Sequence, residues 1–80
     1  MIVSVNYRDS KTGQFRGRAY SYLCDIPDIQ PGDKVIAPTA TGENEAVIVE
    51  INVPESRVDE RIMPLLKTII QRKEEQMYVE

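Results

Sequence analysis

The sequence contains no histidine and a single cysteine, Cys24. Without histidine, the chain can form neither a Ser-His-Asp nor a Cys-His catalytic group, and it cannot bind zinc through imidazole. No acidic pair has the spacing of a carboxylate metal site. We therefore expect a non-enzymatic protein that has no metal and no cofactor. A carboxyl group, Asp25, follows Cys24 and no cation adjoins it in sequence, so nothing favours a reactive thiolate and we expect Cys24 to be buried filler.

Long apolar segments are also missing. No apolar run approaches the roughly 20 residues that a membrane helix needs. The segment Met1–Tyr7 has neither the charged leader nor the long apolar centre of a secretory signal. A lone cysteine cannot form an intramolecular disulfide, so nothing indicates an oxidising compartment. These absences predict a cytoplasmic protein without membrane contact. Eighty residues fit one domain, spanning 1–80, with a thin core.

The first half of the chain has the pattern of short strands separated by turns. Met1–Tyr7 and Arg18–Cys24 alternate in the way strands do, and the polar segment Arg8–Gly17 between them predicts a hairpin with a long basic tip. Lys34–Ala37 predicts a further strand that ends at Pro38, and Thr39–Asn44 predicts a turn. Such spacing is typical of a small barrel.

Two features of the middle segment make specific predictions. Pro31 followed by Gly32 indicates a type II turn, in which Gly32 takes a positive φ. Glu45–Val53 has the most regular alternation in the chain. We expect its wholly apolar odd-numbered side to face the core, opposite Val35 or Ile36. That side consists of Val47, Val49, Ile51 and Val53.

The last third of the sequence is harder to interpret. Ser56 and Asp59 approximate a capping box, which predicts a short helix through about Met63, interrupted by Pro64. Leu65–Ile70 fits either a helical stripe or a β-branched strand, and the need to close a barrel favours the strand. The charged segment 71–80 is predicted to be an exposed tail. The expected fold is mostly β: a five-stranded, partly open barrel with one short helix near the C-terminus.

Charge and aromatic residues concentrate in the first hairpin. Residues 1–24 carry four basic side chains against Asp9, whereas residues 25–55 carry seven acidic side chains against Lys34. Arginine interleaved with aromatic rings is typical of surfaces for single-stranded nucleic acid. The same residue types also form protein interfaces or fill a small core, and the sequence leaves all three interpretations open. The candidate binding residues are Arg8, Phe15, Arg16, Arg18, Tyr20 and Tyr22.

Four segments of the sequence together form a known pattern: Tyr20–Tyr22, Pro31–Pro38, Glu45–Glu50 and Leu66–Ile69. They resemble the N-terminal DNA-binding domain of the primosomal replication-restart helicase, and the similarity covers about residues 2–70. That family has an aromatic-Asp-Tyr strand, a Pro-Gly-Asp-basic-Val segment, a valine-rich strand and a Leu-Lys-Pro-Ile closing strand. The resemblance implies a small β barrel that binds the 3′ end of a DNA strand. Ser21 stands where the family has its aspartate, so a charged acceptor for a 3′ hydroxyl is missing.

Two functions from different classes follow as hypotheses. The first is an accessory module of DNA replication or of a phage or other mobile element, which contacts single-stranded DNA or a replication protein. The second is a protein–protein adaptor or homo-oligomeric structural protein with no nucleic-acid role. The basic aromatic hairpin favours the first hypothesis, and the acidic middle segment favours the second.

Overall fold

Six strands form one curved sheet in a computed structural model that describes residues 1–73. The order across the sheet is β5-β2-β1-β4-β3-β6, and every pair is antiparallel except β2 with β5. The strands are β1 (Ile2–Tyr7), β2 (Tyr20–Cys24), β3 (Lys34–Thr39), β4 (Gly42–Glu50), β5 (Thr68–Ile69) and β6 (Gln71–Arg72).

The two outermost strands, β5 and β6, come from one segment of chain and nearly close the barrel. Thr68 and Ile69 pair with β2, whereas Gln71 and Arg72 pair with the opposite outer strand, β3. Only Ile70 separates them, and it marks the point where the chain leaves one strand edge for the other. The mostly β, barrel-like fold is confirmed. The prediction of five strands is wrong, because the closing segment divides into two short strands as it changes partner.

The predicted C-terminal helix is also wrong, since the described residues contain only two short 3-10 turns in that region, Glu55–Arg57 and Met63–Leu65. The carboxylate of Asp59 accepts a hydrogen bond from the backbone N–H of Arg61, not from Ser56 as a capping box requires. Between the turns the backbone is extended at Val58, whose side chain is buried. Tertiary burial of this residue opposes a continuous helix.

Leu65–Ile70 combines both forms that the sequence left open, because its first residue ends a 3-10 turn and Thr68–Ile69 is a strand. Gln71 and Arg72, at the start of the predicted tail, form β6 with exposed side chains. The remainder of that tail, residues 74–80, lies outside the described residues.

The core has two parts, one inside the barrel and one under the C-terminal segment. Inside the barrel, the odd-numbered side chains of β1 pack with residues of β2, β3, β4 and β5. The second part covers the outer side of β1, where Ile2 packs with Val53 and Val58. The buried residues inside the barrel are Val3, Val5, Tyr22, Cys24, Ile29, Val35, Ala37, Ala46, Ile48 and Ile69. Burial of Cys24 is therefore confirmed.

β4 faces the core with the side opposite to the one predicted. Ala46 lies opposite Tyr7 and the buried Val35, and Ile48 lies opposite the buried Val5. Directly opposed residues share one face of a sheet, so the even-numbered side chains point inward and Val49 is 42% exposed. The reason is register: Thr39 pairs with Gly42 across a turn at residues 40–41. β3 also continues through Pro38, where the sequence predicted its end.

The predicted turn at Gly32 is confirmed. Gly32 has φ +95°, a region that side chains with a Cβ rarely adopt. The N–H of Asp33 donates to the carbonyl of Gln30 at 3.1 Å and closes the turn. The N–H of Gly32 donates to the carbonyl of Ile48 at 2.7 Å, so the turn is joined directly to β4.

Candidate functional site: an aromatic groove at the barrel seam

Three tyrosines cluster where β1 ends and β2 begins. Because these strands are antiparallel, with Val5 opposite Tyr20, the rings of Tyr7 and Tyr20 come together. They stack with centroids 4.6 Å apart, and the ring of Tyr22 meets Tyr7 edge-on at 6.4 Å. Tyr20 remains 41% exposed, whereas Tyr22 is 5% exposed. The cluster therefore offers one ring, Tyr20, that is both accessible and held in place by a second ring.

The hydroxyl of Tyr22 forms hydrogen bonds within the protein. It lies 2.8 Å from the carbonyl oxygen of Pro38 and also contacts the hydroxyl of Tyr7. A carbonyl can only accept, so the single proton of Tyr22 goes to Pro38, and Tyr7 donates to Tyr22. Burial raises the pKa of Tyr22, and the hydrogen bond with Tyr7 raises it further. Tyr22 is consequently a neutral structural group that ties β2 to β3.

A groove of about 290 Å³ lies beside this hydrogen bond. We call it the seam groove, because it occupies the gap between the start of β2 and the end of β3, where neither β5 nor β6 lies between them. Tyr20 forms part of one wall, and Leu65 (70% exposed) borders it. The lining residues are Tyr7, Tyr20, Ser21, Tyr22, Pro38, Thr39, Ala40, Ile62, Leu65, Leu66 and Lys67.

The hairpin tip between β1 and β2 is organised around Asp9. Its carboxylate accepts a hydrogen bond from the N–H of Lys11 at 2.8 Å, and its carbonyl accepts one from Gly13 at 2.7 Å. Arg8 pairs with Phe15 as a β-bridge across the base of the tip. The ring of Phe15 is partly buried and has the ammonium group of Lys34 5.5 Å from its centroid. This ring is already partly covered by a cation from β3.

Cations are distributed unevenly over the surface. On the C-terminal side, Arg57 pairs with Glu50 at 2.6 Å and Arg72 pairs with Asp33 at 2.9 Å. The hydrogen bonds from Arg57 lower the pKa of Glu50, as expected for a close pair. Arg61 with Asp59 and Lys73 with Glu45 are further pairs.

The hairpin side has few such pairs in the described part of the chain. Arg16 and Asp9 form one of 4.0 Å, with the arginine largely exposed. Among residues 1–73, ion pairs involve none of five basic residues: Arg8, Lys11, Arg18, Lys34 and Lys67. Lys67 lines the seam groove, Lys34 lies over the ring of Phe15, and the other three belong to the hairpin.

The structure separates the six candidate residues into two groups. Tyr20 and Tyr22 line the seam groove, although only Tyr20 has an accessible face. Arg8, Phe15, Arg16 and Arg18 lie in the hairpin tip or just beyond it, in residues 8–18. The two groups are linked by the chain, because Arg8 follows Tyr7 directly and Arg18 precedes Tyr20 by two positions.

Sequence reasoning misses most of the groove. It names Tyr7 and Pro38 only where predicted strands end, and it names Ser21 and Lys67 only as parts of longer segments. It assigns Leu65 to a helical stripe or a strand, whereas the side chain is exposed at the rim. The alternation of β2 could have indicated that Tyr20 and Tyr22 share one face. No local signal could have indicated that Lys67 reaches that face, because its position depends on how the chain closes the barrel.

Within residues 1–73, no group of three or more acidic or cysteine side chains converges as a metal site requires. The same part of the chain holds no helix with the length and apolar character needed to cross a membrane. No protein-family model, curated protein or solved structure matches the chain.

Proposed function

We propose that the chain is a non-enzymatic module that binds single-stranded DNA, as an accessory of DNA replication. The observation that carries the proposal is the ring of Tyr20, which is exposed, stacked on Tyr7 and part of the same groove as Lys67, a cation without an ion pair among residues 1–73. The resemblance of Tyr20–Tyr22, Pro31–Pro38 and Leu66–Ile69 to the DNA-binding domain of the replication-restart helicase supports the same class of ligand.

Stacking and charge act together at this site. A base that stacks on Tyr20 finds a ring whose orientation Tyr7 already restricts, so little freedom is lost on binding. Such stacking contributes about 1–3 kcal/mol per base and tolerates any sequence. Lys67 in the groove and Arg16 and Arg18 in the hairpin offer cations to the phosphates. The acidic segment 25–55 would repel a phosphate backbone, which confines binding to the hairpin and the seam groove.

Ser21 makes the proposal more specific. It lines the seam groove as a neutral residue, and it stands where the resembling family has an aspartate. Without that charged acceptor, a free 3′ hydroxyl gains little over an internal nucleotide. We therefore expect binding to a single strand to be independent of a free 3′ end.

The test is a fluorescence-anisotropy titration with a labelled thymidine oligonucleotide over a series of salt concentrations. We expect Tyr20→Ala to weaken binding by about 1–3 kcal/mol. The double variant Arg16→Ala with Arg18→Ala should reduce the slope of log affinity against log salt by roughly 0.7 for each phosphate that the variant no longer binds. The matched control is Arg61→Ala, which removes an exposed arginine that is paired with Asp59, and it should leave the slope unchanged.

Two results would contradict the proposal. If the wild-type chain does not bind the oligonucleotide even at low salt, the DNA function fails. If it binds but all three variants bind alike, DNA is a ligand and the site is elsewhere. An oligonucleotide with a blocked 3′ end tests the role of Ser21, and a large loss of affinity would contradict the expected independence of the end.

A protein–protein adaptor is the second candidate, and one observation favours it. Ile62 and Leu65 are 46% and 70% exposed at the border of the seam groove. Neighbouring exposed apolar side chains are more typical of a protein contact than of a phosphate-binding surface. The adaptor hypothesis includes homo-oligomers, for which sedimentation of wild type and Leu65→Glu is the direct comparison.

A further inference from the structure

The edge of β2 that faces the seam groove carries backbone groups at Ser21 that have no partner in the described part of the chain. Cys24 donates its N–H to the carbonyl of Met1 on the β1 side, and Leu23 donates its N–H to the carbonyl of Lys67 on the other side. Backbone groups alternate sides along a strand, so Ser21 points its N–H and C=O away from β1. Among residues 1–73, no hydrogen bond reaches either group. This position is an open strand edge inside a groove.

The opposite wall of the groove offers no such edge. Even-numbered residues of β3 point their backbone groups toward the gap, as the bond from the N–H of Lys73 to the carbonyl of Lys34 shows. The residue that faces the groove is Pro38, which has no N–H, and its carbonyl already accepts the hydroxyl of Tyr22. Proline commonly protects an edge strand in this way. Only the β2 wall therefore has both an N–H and a C=O available to hydrogen-bond the backbone of a ligand.

We propose that the seam groove binds an extended peptide segment of a partner protein, which adds a short strand to β2 at Ser21. This inference goes beyond DNA binding, and because the peptide would use Tyr20 and Lys67 of the proposed DNA site, peptide and oligonucleotide should compete. Added strands gain affinity from backbone hydrogen bonds and specificity from pockets for side chains. Tyr20 and Leu65 offer apolar contacts, and the cation of Lys67 at one end complements a carboxylate. The occupant is thus a peptide with apolar side chains and a carboxylate, either an acidic side chain or a chain terminus.

The first test uses a phage-displayed library of random dodecapeptides, followed by amide hydrogen exchange of the protein with the peptide that is most enriched. We expect enriched sequences to combine apolar residues with a carboxylate. Binding should protect the N–H of Ser21 from exchange. The internal control is Leu23, whose N–H is already bonded to Lys67 and should be protected with or without peptide.

The second test compares variants at exposed positions, where folding should be little affected. Leu65→Glu should weaken binding of the selected peptide about tenfold, because the substitution removes an apolar contact and repels the peptide's carboxylate. Lys67→Glu should weaken it by about fivefold or more. The matched controls lie outside the groove: Ile70→Glu, at a position 75% exposed, and Lys11→Glu. Both should leave affinity unchanged.

Modified peptides identify the source of the carboxylate. If amidation of the peptide's C-terminus weakens binding as much as Lys67→Glu does, the terminal carboxylate is bound. If replacement of Asp or Glu in the peptide by Asn or Gln has that effect, a side-chain carboxylate is bound. The proposal is overturned if no peptide is enriched, or if an enriched peptide binds without protecting Ser21. It is also overturned if the Leu65 and Lys67 variants bind as well as the controls, or if the thymidine oligonucleotide, and no peptide, protects Ser21.

Discussion

The two sides of the barrel are held together by different means. On one side, β1, β4 and β3 form long antiparallel ladders, and β3 with β4 pairs continuously from Lys34 and Val47 to Thr39 and Gly42. On the other side, two strands of two residues each close the gap, together with the hydrogen bond from Tyr22 to Pro38. We expect the ladder side to contribute most of the cooperative stability. We expect a ligand to gain access at the seam. Local opening generally occurs where such contacts are fewest.

The largest effect is expected from a truncation in the ladder side. Ile48 is 1% exposed between β1 and β3, and Ile48→Ala should destabilise the protein by about 2–5 kcal/mol. For a small domain this is a large part of the total free energy of unfolding. Urea denaturation followed by circular dichroism measures it.

The control for that prediction is the neighbouring side chain on the outer face. Val49 is 42% exposed, so Val49→Ala should cost less than about 1 kcal/mol. If the two variants are equally destabilised, the inward face of β4 has been assigned wrongly and the ladder side is not the stable one.

A smaller effect is expected at the seam. Tyr22→Phe keeps the ring and removes the hydroxyl that joins Pro38 and Tyr7, which should cost about 1–2 kcal/mol. Amide exchange in β5 and β6 should accelerate more than exchange in β4, because the missing bond is at the closure. Tyr7→Phe is the matched control, since it leaves the Pro38 bond in place. Uniform acceleration across the sheet would show that the seam is not an independent weak point.

The turn that leads into β3 should give an effect of about 1 kcal/mol or slightly more. A Cβ at Gly32 meets nothing within 4 Å, so the cost of Gly32→Val comes from the positive φ alone. Thermal unfolding of Gly32→Val and Gly32→Asn separates this cause from others, because asparagine tolerates that backbone region better. Equal destabilisation of both variants would argue against a backbone origin.

The smallest effect concerns pH. A hydrogen bond from Lys73, and then neighbouring positive charges, lower the pKa of Glu45, a pair that joins β4 to the end of β6. A carboxyl whose pKa is depressed by folding stabilises the protein above its unfolded pKa, and this stabilisation is lost as the pH falls below about 4.5. The pair is exposed, so the effect should be small and weakened by salt.

Glu45→Gln provides the comparison for that prediction. Melting temperatures of wild type and Glu45→Gln should differ slightly at neutral pH, and the difference should disappear in acid. A difference that grows in acid would reverse the assigned direction of the pKa shift.

Local sequence determined the class of fold and several of its details. Alternation in Met1–Tyr7 predicted β1, because period-two patterns depend only on neighbouring residues. Pro31 with Gly32 predicted the turn, since each residue restricts or permits its own φ. The neighbouring carboxyl group of Asp25 and the lack of an adjacent cation predicted that Cys24 is buried filler. These features follow from short-range physical chemistry and did not require knowledge of what lies across the barrel.

Tertiary structure alone decided which side of β4 faces inward and which tyrosine is available to a ligand. Both faces of β4 carry apolar residues, and a shift of one residue in pairing exchanges them. The pairing of Thr39 with Gly42 selects Ile48 over Val49. Likewise Tyr20 and Tyr22 look alike in sequence. Tyr20 lies beside the gap that the closing segment leaves, whereas Tyr22 reaches Pro38 across that gap. That gap, with Lys67 at its border, exists only because residues 68–72 change strand partners while closing the barrel.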